Sequence, residues 1–326
     1  MRNFGRGGLT VGLYSFGVAP LANLGREVSD DDAWNALEAA WTAGVRYYDA
    51  APHYGVGLGE RRLGSFLATK PRDDFILSTK VGRLLVDDPA GLHPDTEGFN
   101  VITSLRRELD YSGDGVRRSL DESLGRLGLD RVDVLFVHDP DDHYREVLDG
   151  AFPALDDLRQ QGIIASYGAG MNQSAMLADF VVNTDVDIVM CAGRYTLLEQ
   201  GALDELLPAA ARRGVSVVAA AVFNSGLLAR DRPTKDLTYN YGPVPAQLLS
   251  RVNALADVCE SHGVSLPAAA MQFPFAHPAV ATVCTGARSA DQVAQNAALF
   301  DVDIPSTLWV DLASAGLLRA DAPVPA

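Results

Sequence analysis

A chain of 326 residues, almost half of them apolar, can bury one large core or two small ones. Its net charge of -15 repels phosphate backbones, so nucleic acid is not an expected partner, although one local pocket can be positive on an acidic surface. No run of about 18 apolar residues is present, so no membrane span is expected; the first ten residues lack an apolar signal stretch; and Cys191, Cys259 and Cys284 are too widely spaced for a disulfide framework or a zinc site, which fits a reducing cytoplasm.

Along the chain, short β-branched runs alternate with longer helical patterns. Residues 15–18 form a weak first strand, and 31–43 a helix with acids at its start and Gly44 after its end. Strands are then expected at 45–49, 75–81, 132–137, 163–168, 186–191, 215–222 and 279–284. Helices are expected at 60–68, 116–127, 144–161, 173–182, 203–213, 246–262 and 290–300. Alternation of this kind implies parallel strands with helical crossovers. About eight units predict an α/β fold, a (β/α)8 TIM barrel with long loops at its C-terminal face, in one domain covering 1–326. A doubly wound open sheet is the rival. Residues 82–113 and 223–245 are too long for simple connections; both follow strands, where barrel active sites sit.

Three strands end in chemistry-bearing residues. The first ends at Asp49 and continues Ala50-Ala51-Pro52-His53-Tyr54-Gly55. Alone, this reads equally as part of a site at a barrel mouth and as a capping aspartate followed by an ordinary aromatic loop. The next strand closes on Ser78-Thr79-Lys80, and a lysine at a buried strand end is costly unless paired, with Asp49 as the nearest candidate. The third ends at His138, a residue type more often structural than catalytic. Together, Asp49, Tyr54, Lys80 and His138 make a consistent hydride-transfer site. The ammonium is expected to favour a tyrosine phenolate and to lower a pKa that is ordinarily near 10. Tyr54 would exchange a proton with a carbonyl or hydroxyl oxygen that His138 also contacts. His53, His93, His143, His262 and His277 lack zinc-ligand spacing, so no metal is expected.

These residues resemble the tetrad of the aldo-keto reductase superfamily: Asp49 matches the family's acid, Tyr54 its proton-transferring tyrosine, Lys80 its lysine and His138 its histidine. The similarity runs from about Leu9 to Phe300 and is densest over Asp49 to Gly55 and Gly59 to Gly64. The Gly-rich stretch at 55–59 does not have Rossmann spacing and is rejected as a dinucleotide fingerprint. The resemblance instead implies an NAD(P) cofactor extended across the barrel mouth. The matching positions are Asn172, then Asn224, Ser225, Gly226 and Leu227 after strand seven, then Thr285, Gly286, Ala287 and Arg288 with Gln292, Gln295 and Asn296 before and in the last helix. Small residues there would permit close backbone approach, and a helix start at Ser289 suits an anion.

The chain departs from the family at three contacts. Asn172 stands one position beyond the usual carboxamide-binding pair, Ala192 replaces a common glutamine, and Ala220 stands where an aromatic often stacks on the nicotinamide. With the runs 192–200, 222–226 and Tyr239-Asn240-Tyr241, these changes resemble the aldose 1-dehydrogenase branch. That branch includes D-threo-aldose and L-fucose dehydrogenases and the related pyridoxal 4-dehydrogenase. The resemblance implies oxidation of a small aldose at its anomeric carbon to a lactone, with NAD favoured over NADP because Gln292 stands where an arginine often binds the 2′-phosphate. Asn224, Tyr239, Asn240, His53 and Arg194, beside Phe16, Trp34 or Phe223, are candidates for the substrate pocket. The alternatives are a pyridoxal dehydrogenase, a general aldehyde or ketone reductase, and a non-catalytic cofactor-binding regulatory subunit. The expected partner is a small molecule, aldose or pyridoxal; the oligomeric state is open.

Overall fold

The computed structural model describes residues 1–235, 237–239 and 242–325. Eight parallel strands close into a barrel: β1 (Tyr14–Gly17), β2 (Tyr47–Asp49), β3 (Ile76–Val81), β4 (Val134–His138), β5 (Ser166–Met171), β6 (Ile188–Ala192), β7 (Ser216–Ala220) and β8 (Val280–Thr285). Each strand pairs with the next in sequence, and β8 returns to β1 through Val283↔Tyr14, Cys284↔Ser15 and Thr285↔Phe16. That last ladder excludes the open sheet. The surrounding helices are α1 (Asp30–Thr42), α2 (Leu58–Leu67), α3 (Gly113–Leu127), α4 (Phe152–Gln160), α5 (Ser174–Asn183), α6 (Leu206–Arg213), α7 (Ala246–Ser261), α8 (Leu266–Gln272), α9 (Ala290–Ala298) and α10 (Ser306–Ser314). No helix among the described residues is long and apolar enough to cross a membrane.

The two-residue repeat of a strand decides what faces inward. On β4, Val134 and Phe136 join Tyr47, Ile188, Met190 and Val218 in the barrel interior, whereas Leu135 and Val137 pack outward under the helices. The same alternation sends Asp49, Ser78 with Lys80, and His138 inward, one layer above that apolar plug. An N-terminal hairpin, Arg2–Asn3 against Thr10–Val11, lies at the opposite end and inserts Phe4 beside Tyr47, with ring centroids 4.8 Å apart.

The structure differs from the sequence expectations in several places. Strand β5 begins three residues later than expected and ends three residues later, running through Gly168 and Gly170 to Met171. A Cβ at Gly168 would lie 1.6 Å from the Ile188 carbonyl oxygen, so glycine marks a close backbone approach rather than a break. The helix expected over 144–161 is one turn, a π segment Val147–Ala151, and then α4. Pro153, second in α4, has no N–H to donate and clashes with the carbonyl four residues back, which the wider π register accommodates. The hairpin at the N-terminus, α8 and α10 have no counterpart among the elements expected from the sequence. The long connection after β3 is itself ordered: Arg83–Asp87 pairs with Leu105–Leu109, and His93–Pro94 with Ile102–Thr103. It folds over the mouth, where Gly25 donates to the Gly98 carbonyl (2.8 Å) and Asn23 Nδ2 to the Asn100 carbonyl (3.1 Å). The connection after β7 carries a short ladder of Thr238–Tyr239 with Gly242–Pro243; Asn240 and Tyr241 lie outside the described residues.

Two glycine substitutions test this packing. Gly168→Ala should lower the thermal unfolding midpoint sharply or prevent soluble folding, because the backbone of β6 must move. Gly125→Ala in α3, where a Cβ meets open space, should raise stability by about 0.5–1 kcal/mol. Equal midpoints for the two variants would contradict the close β5–β6 approach.

Candidate active site

The C-terminal ends of β2, β3 and β4 bring Asp49, Lys80 and His138 to one side of the mouth, and the turn after β2 brings Tyr54 above them. Lys80 is only 2 % exposed. Its Nζ donates to Asp49 Oδ2 (2.6 Å), to the Ala50 carbonyl (3.0 Å) and to the Tyr54 hydroxyl (3.1 Å). All three ammonium protons are therefore used. The other oxygen of Asp49 accepts from Ser78 Oγ (2.7 Å), which in turn lies 2.9 Å from the Tyr47 hydroxyl. Ser78 and Tyr47 join this network without any signal of their own in the sequence beyond their register: both lie on the inward face, two residues before Lys80 and Asp49.

Burial alone would drive Lys80 toward its neutral form, but Asp49 and Tyr54 together outweigh it and the ammonium is held above its ordinary range. Tyr54 goes the other way from expectation. Burial raises its pKa above the ordinary value, the charge on Lys80 opposes this without cancelling it, and Asp49 adds to the rise. The lowered tyrosine pKa predicted from the lysine alone is corrected: desolvation, invisible in the sequence, is the larger effect. His138 is pushed well below its usual range by burial and then by Lys80, so the ring is neutral. His53 is pushed down to about 3 by burial, then by Arg107 and Arg83.

Around this group the hairpin after β3 builds a second layer. The rings of His53 and Phe99 stand 5.2 Å apart, edge to face, and those of His53 and His138 5.5 Å apart. Arg107 Nη2 donates to the His53 carbonyl (2.9 Å) while its other nitrogen pairs with Asp95. Arg83 Nη2 lies 3.3 Å from Asp139 Oδ2, and Asp139 Oδ2 lies 3.5 Å from His138 Nε2. Length marked this loop as functional in the sequence; which of its arginines meet which acids depends on the antiparallel pairing.

The residues expected to hold a cofactor cluster after β5, β7 and β8. Asn172 follows β5 and is half-buried. Asn224, Ser225 and Gly226 all have left-handed φ values of 45°, 59° and 92°. Asparagine and glycine tolerate such a backbone, whereas at Ser225 it is strained. Asn224 Nδ2 donates to the Gly193 carbonyl (3.3 Å), and its buried Oδ1 has no partner among the described residues. A Cβ at Gly226 would meet open space. Leu227, in contrast, is fully buried in the core, and its amide already donates to Asn224 (3.2 Å), so its side chain is not part of a ligand surface. At the end of β8, Thr285 Oγ1 is buried and unpartnered. Gly286 is glycine for a reason other than ligand approach: a Cβ there would lie 2.5 Å from the Gly17 carbonyl and from Pro20. Ala287 is buried, Arg288 Nη2 reaches back to the Leu24 carbonyl (2.9 Å), and Gln292 Oε1 accepts from the Arg288 amide (2.8 Å). Gln295 is exposed and Asn296 half-buried on α9. The free cradle after β7 and the orphaned oxygens of Asn224 and Thr285 fit an extended dinucleotide.

Some pocket candidates fall elsewhere. Phe16 is fully buried on the outward face of β1, and Trp34 sits on α1 against Phe66 of α2, 5.4 Å between rings, outside the barrel. Arg194 is near Glu199 (3.7 Å), whereas Phe223 and Tyr239 are half-buried in the connection after β7. A groove of about 890 Å³ between α1 and α9, lined by Ala39, Ala294 and Ala298 among others, lies away from the titratable cluster.

The Aldo/keto reductase family profile matches residues 9–315. The chain is 49 % identical over 316 residues to a D-threo-aldose 1-dehydrogenase from Pseudomonas sp, covering 95 % of this chain and 96 % of that protein. It is 41 % identical over 335 aligned positions to a pyridoxal 4-dehydrogenase from Microbacterium luteolum, covering 97 % of each. Among solved structures, an aldo-keto reductase from Bacillus halodurans in its holo form superposes with a TM-score of 0.76 at 25 % identity, covering 98 % of this chain and 97 % of that one.

The depressed His53 gives a pH test. Its folded pKa of about 3 lies below the unfolded value near 6.5, so unfolding between those pH values takes up a proton. The stability it contributes is present above about pH 6.5 and is lost as the pH falls toward 3. His53→Gln should flatten the acid-side decline of the unfolding free energy by about one proton; an unchanged slope would mean the ring is charged in the folded protein.

Proposed function

Because the chain belongs to the Aldo/keto reductase family and is an NAD(P)-dependent oxidoreductase, we propose that Asp49, Tyr54, Lys80 and His138 are its catalytic group and that it oxidises the anomeric carbon of a small aldose, of the L-fucose or D-threo-aldose type, to a lactone. The observation that carries this reading is the chain of hydrogen bonds from Asp49 through Lys80 to the Tyr54 hydroxyl at the barrel mouth. The nature of the relatives supports the substrate class.

A bound nicotinamide cofactor supplies the hydride acceptor. The protein's residues manage the proton. As C1–H leaves as hydride, the anomeric O–H gives its proton to Tyr54, and the C1–O bond becomes the lactone carbonyl. Lys80 stabilises the phenolate that accepts it, and Asp49 keeps Lys80 charged and fixed. Neutral His138 donates a hydrogen bond to the same oxygen without adding a second positive charge beside Lys80. Since burial holds the Tyr54 pKa high, oxidation should accelerate as the pH rises above neutrality. Asn224, Ser225, Gly226, Thr285 and the 286–296 segment would hold the dinucleotide, with Asn172 at the carboxamide. NAD is favoured over NADP: the side chain of Gln292 is engaged with the Arg288 amide, Arg288 is tethered to Leu24, and Asp291 places an acid in the first turn of α9. Three buried free cysteines fit a cytoplasmic setting.

Pyridoxal is the second reading, favoured by the 41 % identical relative, since it also forms a cyclic hemiacetal. An absorbance screen of L-fucose, D-arabinose, L-galactose and pyridoxal with NAD and with NADP, followed by NMR of the product, separates the two. The expected result is lactone from an aldose with higher kcat/KM for NAD. Tyr54→Phe should lower kcat/KM by about 10²–10⁴ while still binding NAD. Rapid oxidation of pyridoxal alone would move the assignment, and a Phe variant with near wild-type turnover would remove Tyr54 from the mechanism.

A further inference from the structure

Asp139 follows His138 at the end of β4 and occupies a position nothing in the tetrad requires. Its φ of 40° is left-handed, a conformation that few residues besides glycine, asparagine and aspartate adopt. The backbone is pinned there: its N–H donates to the Gly170 carbonyl (3.0 Å) and its own carbonyl accepts from the Tyr111 hydroxyl (3.2 Å). The result is a carboxylate aimed at the mouth, with Oδ2 between Arg83 Nη2 and His138 Nε2, while the side chain keeps 32 % exposure. Among the described residues, Oδ1 takes no hydrogen bond. Arg83 does not fully neutralise the group, because it also faces Glu97 at 3.7 Å.

We propose that the Asp139 carboxylate, anchored by Arg83, accepts hydrogen bonds from substrate hydroxyl groups next to the reacting carbon and so selects polyhydroxylated substrates over plain aldehydes. This rests on the assignment of Tyr54 and His138 to the reacting oxygen. A carboxylate has four lone-pair sites and vicinal hydroxyls are paired donors, so the match is one of number as well as charge. A site built to receive such donors discriminates strongly against an analogue that lacks them, because its polar atoms are then left desolvated and unpaired.

The test is the ratio of kcat/KM for NADH-dependent reduction of glyceraldehyde to that of propanal, which has the same carbon chain without the hydroxyls. Asn tolerates a left-handed φ and has the shape of Asp, so Asp139→Asn removes the charge without moving the backbone. The ratio should fall about 10- to 100-fold, mainly through the KM for glyceraldehyde. Arg83→Met, which frees the carboxylate from its anchor, should shift the ratio the same way by less, and it carries the test should Asp139→Asn not fold. An unchanged ratio, or an equal loss of kcat on both aldehydes, would overturn the proposal. A wild-type enzyme that reduces both aldehydes yet oxidises no aldose would contradict the lactone reading alone, with the ratio still deciding the role of Asp139.

Discussion

The structure of the mouth depends on one buried ammonium. Lys80 has almost no access to water, and an ion in that position persists only if its desolvation is offset by charge and by complete hydrogen bonding. Asp49 supplies the charge, and Asp49, the Ala50 carbonyl and Tyr54 take the three protons. Each of these partners is therefore fixed in place by the same requirement. Such a pair is weak evidence for stability, since an apolar replacement of similar volume is often no worse. Its position, with the ammonium donating to the Tyr54 hydroxyl, is what the proposed proton-transfer role requires.

The barrel makes that device possible through register. Asp49 pairs with Ser78, and Lys80 with Phe136, so two-residue alternation stacks Asp49, Lys80 and His138 on the same inward face above a dry layer of Tyr47, Phe136, Met190 and Val218. A slip of one residue in β3 would send Lys80 outward under α2 and bring Thr79 in. Thr79 instead donates to Glu60 of α2 (2.6 Å), and Glu60 pairs with Arg126 of α3 (2.6 Å). The polar contacts outside the barrel thus hold the register that keeps Asp49, Lys80 and His138 on one inward face.

How much of this is legible in the sequence follows from which interactions are local. Asp49, Lys80 and His138 stand out because each is a polar residue terminating an apolar, β-branched run. The parallel strands follow from the alternation of those runs with helices, while the β8–β1 ladder decides for the closed barrel over the open sheet. Where glycine carries a tertiary meaning, the sequence misleads: Gly286 reads as room for a ligand but accommodates Pro20. The second layer of Arg83, Arg107, Asp95 and Asp139 is hidden because it exists only after two segments some twenty residues apart pair antiparallel. The Tyr54 pKa shows the same limit in electrostatic form. A neighbouring lysine is visible in a motif, whereas the burial that outweighs it is a property of the whole fold.

The most direct measurement is of unfolding free energy and turnover together in Lys80→Met, Asp49→Asn and the double variant. Lys80→Met leaves a buried carboxylate uncompensated and should cost about 3–5 kcal/mol of stability. Adding Asp49→Asn should restore most of that stability, with turnover lost in the double variant as in the single. A double variant no more stable than Lys80→Met, or one that recovers activity along with stability, would contradict the claim that this pair is held at the mouth for proton transfer.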